Sequence, residues 1–423
     1  MFEKIRLNMF CTCTATMNLS QQALFVKTFK IIFKVLRIFG FLPFSFHAKK
    51  KFFSPSFVAS IYTVFILLTI YLIFMLCSYY SMIWLEIVHA ANGKIYFKAV
   101  YIAFNITSSV VAILVTLKNQ KEIVDILNKI WQVWSLLEQN SPKMADRKLL
   151  KSVIVKILLV DVIPGACVFS YRYQYDVANN KSYAHQGLLF TLLQFITSLN
   201  IHNMFIVLFY VGTHIYRLIN INFSNLNLKI KRLEKGLSFW RLQPEKQNGI
   251  VHFIEAQLNQ LVTLHFLLNE ITQKLVQIHA LTLLLIVMTD FLVITYSLYS
   301  MYVTTVLEQQ RGREPQLSSY GFHVFVVYFT LLQAFYFVRS ATHYTKRLKF
   351  SGWESWPYFG GSTKRLLRGS IKSNLTSFTV QMVYQDCRIM CFNMFEIDFT
   401  LIRSMLASIT NYFVIIMQLQ LSI

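Results

Sequence analysis

The chain ends in residues 399–423, FTLIRSMLASITNYFVIIMQLQLSI, which are apolar enough for a membrane helix but carry amides on either side of a central apolar run. Asn411 and Gln418 are seven residues apart, roughly two helical turns, so they share one face of a helix. Amide side chains are unfavourable in lipid unless they meet protein or water. The spacing therefore predicts a face that lines a pore or an oligomer axis. The alternative is that the amides mark the interfacial ends of a C-terminal anchor.

The composition indicates that the whole chain is a membrane protein. Of its 423 residues 55% are hydrophobic and 14% are charged, which is more apolar surface than a soluble domain of this length can bury. Uncharged or nearly uncharged runs with the length of a bilayer core occur at residues 57–79, 95–117, 152–172, 187–212, 278–303, 319–340 and 399–421. The sequence predicts an all-α, polytopic membrane protein with seven transmembrane helices.

The Lys and Arg side chains lie mainly in alternate connections between these runs. Of the 41, 32 fall in residues 1–56, 118–151, 213–277 and 341–398, and 5 fall in the other three connections. Because cytoplasmic loops carry the excess of Lys and Arg, this bias predicts a cytoplasmic N-terminus and an extracellular C-terminus. The same bias explains the net charge of +22 as a property of topology, and we expect no nucleic acid partner.

The connections carry further patterns. Residues 25–46 interleave Lys and Arg with Phe and Ile, as in a basic amphipathic helix on the inner membrane surface. Apolar residues recur at helical period in residues 118–137 and 250–278, which predicts helices that extend the membrane helices into a cytoplasmic anchor region. Residues 349–369 are punctuated by Gly and Pro and are predicted to form a loop.

Polar residues inside the predicted spans are candidates for a ligand pocket. Asp290 lies midway along the fifth span, where an Asp costs about 2.5–3.5 kcal/mol on insertion scales. Aromatic and amide residues on the outer side of the spans could line a pocket together with Asp290. The candidate ligand-binding residues are Tyr101, Asn105, Gln194, Asp290, Tyr296 and His323. The alternative is that these residues form interhelical hydrogen bonds and an interfacial Tyr belt.

Three other polar positions in the spans receive structural interpretations. Asp161 precedes Pro164 and is assigned to a kink, and His202 and Asn203 are interpreted as packing groups.

Asn180 begins the sequon Asn-Lys-Ser in a connection predicted to be extracellular, and it is the candidate glycosylation site.

The sequence offers no convincing catalytic constellation. It shows no phosphate-binding glycine loop and no Ser near a His–carboxylate pair, and its six cysteines have no metal-ligand spacing. We therefore expect no enzymatic activity, no metal and no cofactor.

The end of the chain carries a family resemblance. Residues 391–419, CFNMFEIDFTLIRSMLASITNYFVIIMQL, resemble the C-terminal signature of insect gustatory receptors, in which a Phe-rich turn and an Asp precede a helix ending in Thr-Tyr, five apolar residues and Gln-Phe. Tyr412, the run 413–417 and Gln418 match this spacing. Asn411 stands where the family usually has Thr, and Leu419 stands where it usually has Phe.

One position bears on the ligand class. In sugar-responding members an acidic residue commonly follows the Tyr, whereas Phe413 follows Tyr412 in this chain. By this resemblance the ligand is a bitter or other non-sugar tastant.

The resemblance implies a ligand-gated, non-selective cation channel in the plasma membrane of sensory neurons. Four subunits would surround one axis, as a homotetramer or as a heteromer with related receptors, in contact with membrane lipid, permeating cations and a small-molecule tastant. Gln418 and Leu419 would form the constriction, and Asn411 and Ile415 would line the pore below it.

The resemblance also divides the chain into four parts. These are a cytoplasmic N-terminal segment with an amphipathic helix (1–56), a six-helix ligand-binding transmembrane region (57–340), a cytoplasmic loop and anchor helix (341–398) and the pore-lining last helix (399–423).

The rival functions are a G-protein-coupled chemoreceptor, which the loop charges oppose, and a transporter, for which the sequence shows no internal repeat.

Overall fold

The computed structural model of the protein describes residues 33–34, 36–38, 40, 42–47, 52–80, 93–138, 154–178, 184–235, 243–310, 317–360, 376–378, 380, 388–392 and 394–421. Its elements are β1 (Phe44–His47), β2 (Phe52–Pro55), α1 (Phe57–Tyr80), α2 (Gly93–Lys118), α3 (Gln120–Glu138), a π-helical turn (Ile157–Val162) leading into α4 (Ile163–Ala178), α5 (Ala184–Lys235), α6 (Pro244–Ile278), α7 (Ala280–Gln310), α8 (Leu317–Gly360), β3 (Met390–Cys391), β4 (Phe395–Glu396) and α9 (Phe399–Leu421).

Each of the seven predicted spans is helical in the described chain, which confirms the all-α membrane fold. Four helical stretches are long and apolar enough to cross a membrane, namely Ile154–Gln174, Ser198–Leu233, Ala280–Val306 and Tyr320–Lys349. Shorter apolar stretches occur in α1 and α9, at Phe57–Thr69 and Phe399–Ile415. The side of the membrane on which each terminus lies stays a prediction from the loop charges.

Helices also occupy the connections that were predicted to be cytoplasmic. The periodic stretches 118–137 and 250–278 correspond to α3 and α6, so both helices are confirmed. At Asn119 the chain bends by 77° from α2 into α3. Helix α5 continues to Lys235, about 35 Å beyond the predicted end of its span at 1.5 Å per residue.

These extensions share one apolar core with the membrane helices. Tyr216 of α5 and Tyr344 of α8 are fully buried and lie edge to face, with ring centroids 5.4 Å apart. Gly212 allows this contact between α5 and α8, because a Cβ there would lie 2.6 Å from the Tyr344 ring. Close packing of this kind tolerates little added volume.

The N-terminal amphipathic helix was predicted over residues 25–46, and this prediction is wrong at its C-terminal end. Helical residues reach Ile38, and Phe44 begins the β1–β2 hairpin, in which Phe44 pairs with Pro55 and His47 with Phe52. The helical periodicity missed the hairpin because Phe44 and Phe53 are buried across a strand pair instead. Residues 1–32 lie outside the described part of the chain.

Helix α3 holds this hairpin in place. Asn128 accepts a hydrogen bond from the Phe53 amide at 2.7 Å and donates one to the Phe53 carbonyl at 3.0 Å. The amide side chain thereby satisfies a strand edge as a neighbouring strand would.

The predicted loop at residues 349–369 is also wrong in its first half. Helix α8 continues through this segment to Gly360. Gly352 does not end the helix, because a single Gly costs a helix only about 1 kcal/mol. Pro357 falls in the last turn of α8, so the helix ends after it and not at the start of the predicted loop. Residues 361–375 lie outside the described chain.

A short hairpin fixes the start of α9. Strands β3 and β4 pair antiparallel, and the Cys391 thiol donates to the Ala280 carbonyl at the first residue of α7, with a sulfur–oxygen distance of 3.3 Å. On the side of α6, Gln273 donates to the Arg388 carbonyl at 3.0 Å. The hairpin that precedes α9 therefore lies at the level where α7 begins.

Candidate functional site

A buried ion pair lies on the π-helical turn that leads into α4. The Lys156 ammonium donates to Asp161 Oδ1 at 2.5 Å, and only 3% and 4% of the two side chains are exposed. A π-helix closes hydrogen bonds between residues five apart, so it brings positions 156 and 161 onto one side of the helix. The sequence placed an irregularity at Asp161 but missed its partner.

Two amides from other helices complete this network. Asn203 of α5 donates to Asp161 Oδ2 at 3.0 Å and accepts a hydrogen bond from Lys156. Gln333 of α8 donates to Asp161 Oδ1 at 2.8 Å. Buried charges persist in a folded protein when they are paired and hydrogen-bonded, and this network meets both conditions while tying three helices together.

A second buried pair joins α5 to α7. The His202 Nε2 lies 3.0 Å from Asp290 Oδ2, and its Nδ1 lies 2.9 Å from the Ser198 carbonyl oxygen. Because a carbonyl can only accept, Nδ1 carries a proton, and His202 and Asp290 share one further proton between them. The pair is neutral overall whichever group holds that proton. His202, interpreted from sequence as a packing group, is therefore the partner of the candidate ligand residue Asp290.

We call these six residues, Lys156, Asp161, His202, Asn203, Asp290 and Gln333, the mid-span polar layer. Asp290 on α7 and Gln333 on α8 each lie ten residues from the contact between Ser300 and His323. At 1.5 Å per residue this is about 15 Å, half the thickness of a bilayer core. The layer therefore crosses the helical bundle at one level.

The structure brings two of the predicted ligand residues together near the connection between α7 and α8. His323 Nε2 lies 3.0 Å from the Ser300 hydroxyl, and its ring meets the Tyr296 ring edge to face at 6.1 Å. Nearby, Thr305 and Tyr320 are hydrogen-bonded through their hydroxyls. We call these five residues the outer cluster, since this end of the helices is the one predicted to be extracellular.

Aromatic rings line the same half of the bundle. Phe195 and Phe329 lie 4.4 Å apart, and Tyr171 stacks on Phe325 at 5.0 Å. Gly321 permits the second contact, since a Cβ there would lie 2.3 Å from the Tyr171 ring. Such rings offer apolar faces on which a flat ligand can stack.

The remaining predicted ligand residues are more scattered. Asn105 is buried in α2, which packs against α7, and its side-chain oxygen has no hydrogen-bond partner among the described residues. Tyr101 lies on α2 and Gln194 on α5, but the description does not extend to their side chains. The glycosylation candidate Asn180 lies outside the described residues.

The last helix has one packed side and one open side. Ile409 is 3% exposed, and Tyr412 and Phe413 meet Phe291 and Tyr302 of α7 edge to face at 5.8 and 6.1 Å. The open side carries Arg403, Ser404, Ala407, Asn411, Val414, Ile415 and Gln418, all exposed in the single subunit. The predicted pore residues Asn411, Ile415 and Gln418 are therefore on this side, and the description does not extend to the side chain of Leu419.

The sequence reasoning missed Lys156, Asn203 and Gln333 as members of a site. A signal was available, because Lys156 and Asp161 are opposite charges five residues apart in an apolar run. Charged residues within spans usually pair with one another, so the two belonged together.

A comparison with protein families gives one decisive result. Residues 29–423 match the model of the family described as 7tm Chemosensory receptor. This chain belongs to the 7tm chemosensory receptor family. A search of curated proteins found no match for the receptor.

Solved structures resemble the receptor in fold. One is the insect olfactory receptor OR5 from Machilis hrabei, with a TM-score of 0.64, 13% sequence identity and coverage of 93% of this chain and 98% of that chain. The same olfactory receptor in complex with eugenol gives a TM-score of 0.64, 13% identity and coverage of 93% and 99%. At 13% identity this similarity establishes only the fold of the receptor, and not its ligand or its activity.

Proposed function

We propose that this receptor is a ligand-gated, non-selective cation channel of the gustatory type. The observation that carries the proposal is the open side of α9, where Asn411 and Gln418 are exposed on either side of the apolar run 413–417. Polar groups on a lipid-facing surface are costly. Four copies arranged with these faces toward one axis, as a homotetramer or with related receptors, would place the amides in water.

In this proposal a small-molecule tastant of the bitter or other non-sugar class binds in the outer half of each subunit. The outer cluster supplies hydroxyl and imidazole groups at His323, Ser300 and Tyr296, and the neighbouring aromatic rings supply stacking surface. The solved complex of the related olfactory receptor contains eugenol, which supports a small aromatic molecule as the ligand type. The paired mid-span polar layer would form the floor of this pocket.

Ligand binding would open the pore through α7, since this helix contributes Asp290, Tyr296 and Ser300 and also packs against α9. Phe291 follows Asp290 directly and meets Tyr412 of α9 edge to face at 5.8 Å. A ligand that binds one position of α7 more tightly than another shifts the equilibrium between the closed and open positions of α9.

The plasma membrane of sensory neurons is the proposed location.

The test is whole-cell current from cells that express this chain and are challenged with a panel of bitter and other non-sugar tastants. We expect a non-selective cation current in the parent, and a resting leak or altered selectivity in the Gln418→Ala, Leu419→Ala double variant, because a narrow apolar and amide ring controls ion passage. Met417→Ala, at the same height but half-buried on α9, is the matched control and should behave like the parent.

Two results would count against the channel. A surface-expressed receptor that signals only through G proteins would favour the G-protein-coupled alternative, and tastant uptake without current would favour a transporter. A leak of equal size in the Met417→Ala control would mean that loosened packing, and not the pore face, causes the current.

A further inference from the structure

Arg403 lies on the open side of α9, which also carries the proposed pore residues. The buried residue Ile409 and the partly buried Ile402 mark the centre of the packed side. At 100° per residue, Asn411 and Gln418 project nearly opposite this centre, and Arg403 lies within about 60° of the opposite direction. The face that carries the amides therefore also carries a cation.

Arg403 lies near the start of this face. It is eight residues before Asn411 and fifteen before Gln418, which corresponds to about 12 and 22 Å along the helix. The β3–β4 hairpin before α9 lies at the level where α7 begins, through the hydrogen bond between Cys391 and the Ala280 carbonyl, and Phe399 at the start of α9 meets the Phe335 ring of α8 at 5.7 Å. In the predicted orientation Arg403 therefore lies on the cytoplasmic side of Asn411.

Within the part of the chain that the structure describes, the Arg403 guanidinium has no compensating carboxylate. Among the described residues, no Asp or Glu forms an ion pair with Arg403. The nearest acidic residue in sequence, Asp398, accepts hydrogen bonds from the amide and the hydroxyl of Thr400, at 2.9 and 2.5 Å. Asp398 thereby caps the first turn of α9. An Arg side chain is always charged, so each subunit adds to the open face one positive charge that no described carboxylate pairs.

We propose that Arg403 forms a cationic ring in the pore, on the cytoplasmic side of Asn411, and lowers the permeation of divalent cations relative to monovalent ones. The proposal rests on the proposed channel function. Rings of Lys and Arg repel cations in pores, and the repulsion is twice as large for a divalent ion as for a monovalent ion at the same distance. The ring would therefore leave a monovalent current and reduce the calcium current.

The alternative position for the guanidinium is the membrane surface. A long Arg side chain near a helix end can extend its charge to lipid headgroups. In that position it would lie outside the ion path, and its removal would not change which ions pass. The two positions therefore predict different results for ion selectivity.

The experiment measures the reversal potential of the tastant-evoked current with sodium and then calcium as the external cation. We expect Arg403→Gln to raise the calcium-to-sodium permeability ratio by about threefold or more, and Arg403→Glu to raise it further, since charge reversal turns repulsion into attraction. Arg403→Lys keeps the charge and should resemble the parent. Arg339→Gln removes a cation of α8 that lies over the Tyr336 ring at 6.0 Å, and it is the matched control.

The outcomes separate this inference from the proposed function. A parent current whose calcium-to-sodium ratio is the same in Arg403→Gln and Arg403→Glu would overturn the cationic ring and leave the channel intact. An equal change in Arg339→Gln would also overturn it, because the effect would then reflect the general surface charge. Absence of any tastant-evoked current in the surface-expressed parent would overturn the channel and the ring together.

Discussion

Lys156→Met is expected to destabilise the receptor by about 3–5 kcal/mol, because it leaves the Asp161 carboxylate buried without its cation. In the native protein the two groups are 2.5 Å apart and almost completely buried. Met has nearly the same length as the Lys stem, so the loss would come from the charge and not from packing. The readout is the melting temperature of the detergent-solubilised protein, together with the fraction that reaches the cell surface.

Two further variants make this prediction specific. The double variant Lys156→Met, Asp161→Asn removes both charges and should recover most of the lost stability, since replacing a whole buried pair is often nearly neutral. Lys129→Met breaks an exposed pair with Asp125, whose side chains are 46% and 60% exposed, and should cost less than about 1 kcal/mol. A double variant as unstable as the single one would contradict this account of the network.

His265→Phe is expected to make the receptor less sensitive to acid. His265 of α6 lies in the buried core outside the membrane spans, between the Tyr216 ring at 5.1 Å and the Phe378 ring at 5.7 Å. Burial lowers the pKa of His265 to about 4, opposed by its hydrogen bond to the Leu348 carbonyl. The unfolded chain therefore binds a proton at this residue at a pH where the folded protein does not.

Because the pKa of His265 is lower in the folded protein than in the unfolded chain, the folded protein loses stability as the pH falls. The folded state is at its full stability above a pH of about 6.5, and it loses about 2 kcal/mol by pH 5 and about 3 kcal/mol by pH 4 through this one group. Phe keeps the ring and cannot be protonated, so His265→Phe should show a smaller drop in melting temperature between pH 7.5 and pH 5 than the parent.

An exposed histidine on the same helix gives the control. The side chain of His252 is 83% exposed, so it meets water in the folded and the unfolded chain alike. His252→Gln should reproduce the acid sensitivity of the parent. If His265→Phe loses stability with acid as steeply as the parent does, His265 is not the group that links folding to pH.

Much of the fold could be predicted from the sequence because membrane spans depend on length and polarity alone. The seven apolar runs became helices, and the periodic stretches gave α3 and α6. The β1–β2 hairpin could not be predicted in this way, since the backbone of Phe53 is hydrogen-bonded to Asn128 of α3, which is 75 residues away in sequence. The extension of α8 to Gly360 likewise overrode local Gly and Pro signals.

The candidate site was predicted in part for a related reason. Asp290 was identified because a carboxylate in a span is unusual, and Tyr296 and His323 were placed correctly near each other by their heights along the helices. The partner of Asp290 depends on which faces of α5 and α7 meet, and a single sequence does not contain this information. His202 and Lys156 therefore gained their roles only when the tertiary contacts were known.

In the proposed channel the open side of α9 faces a water-filled pore. The most direct test is to apply a thiol-reactive methanethiosulfonate from the bath during tastant-evoked current in Asn411→Cys, beside the parent and Ile409→Cys on the packed side. We expect the reagent to change the current several-fold in Asn411→Cys and to leave the parent and Ile409→Cys unchanged. A normal tastant-evoked current in Asn411→Cys that the reagent does not alter would contradict it.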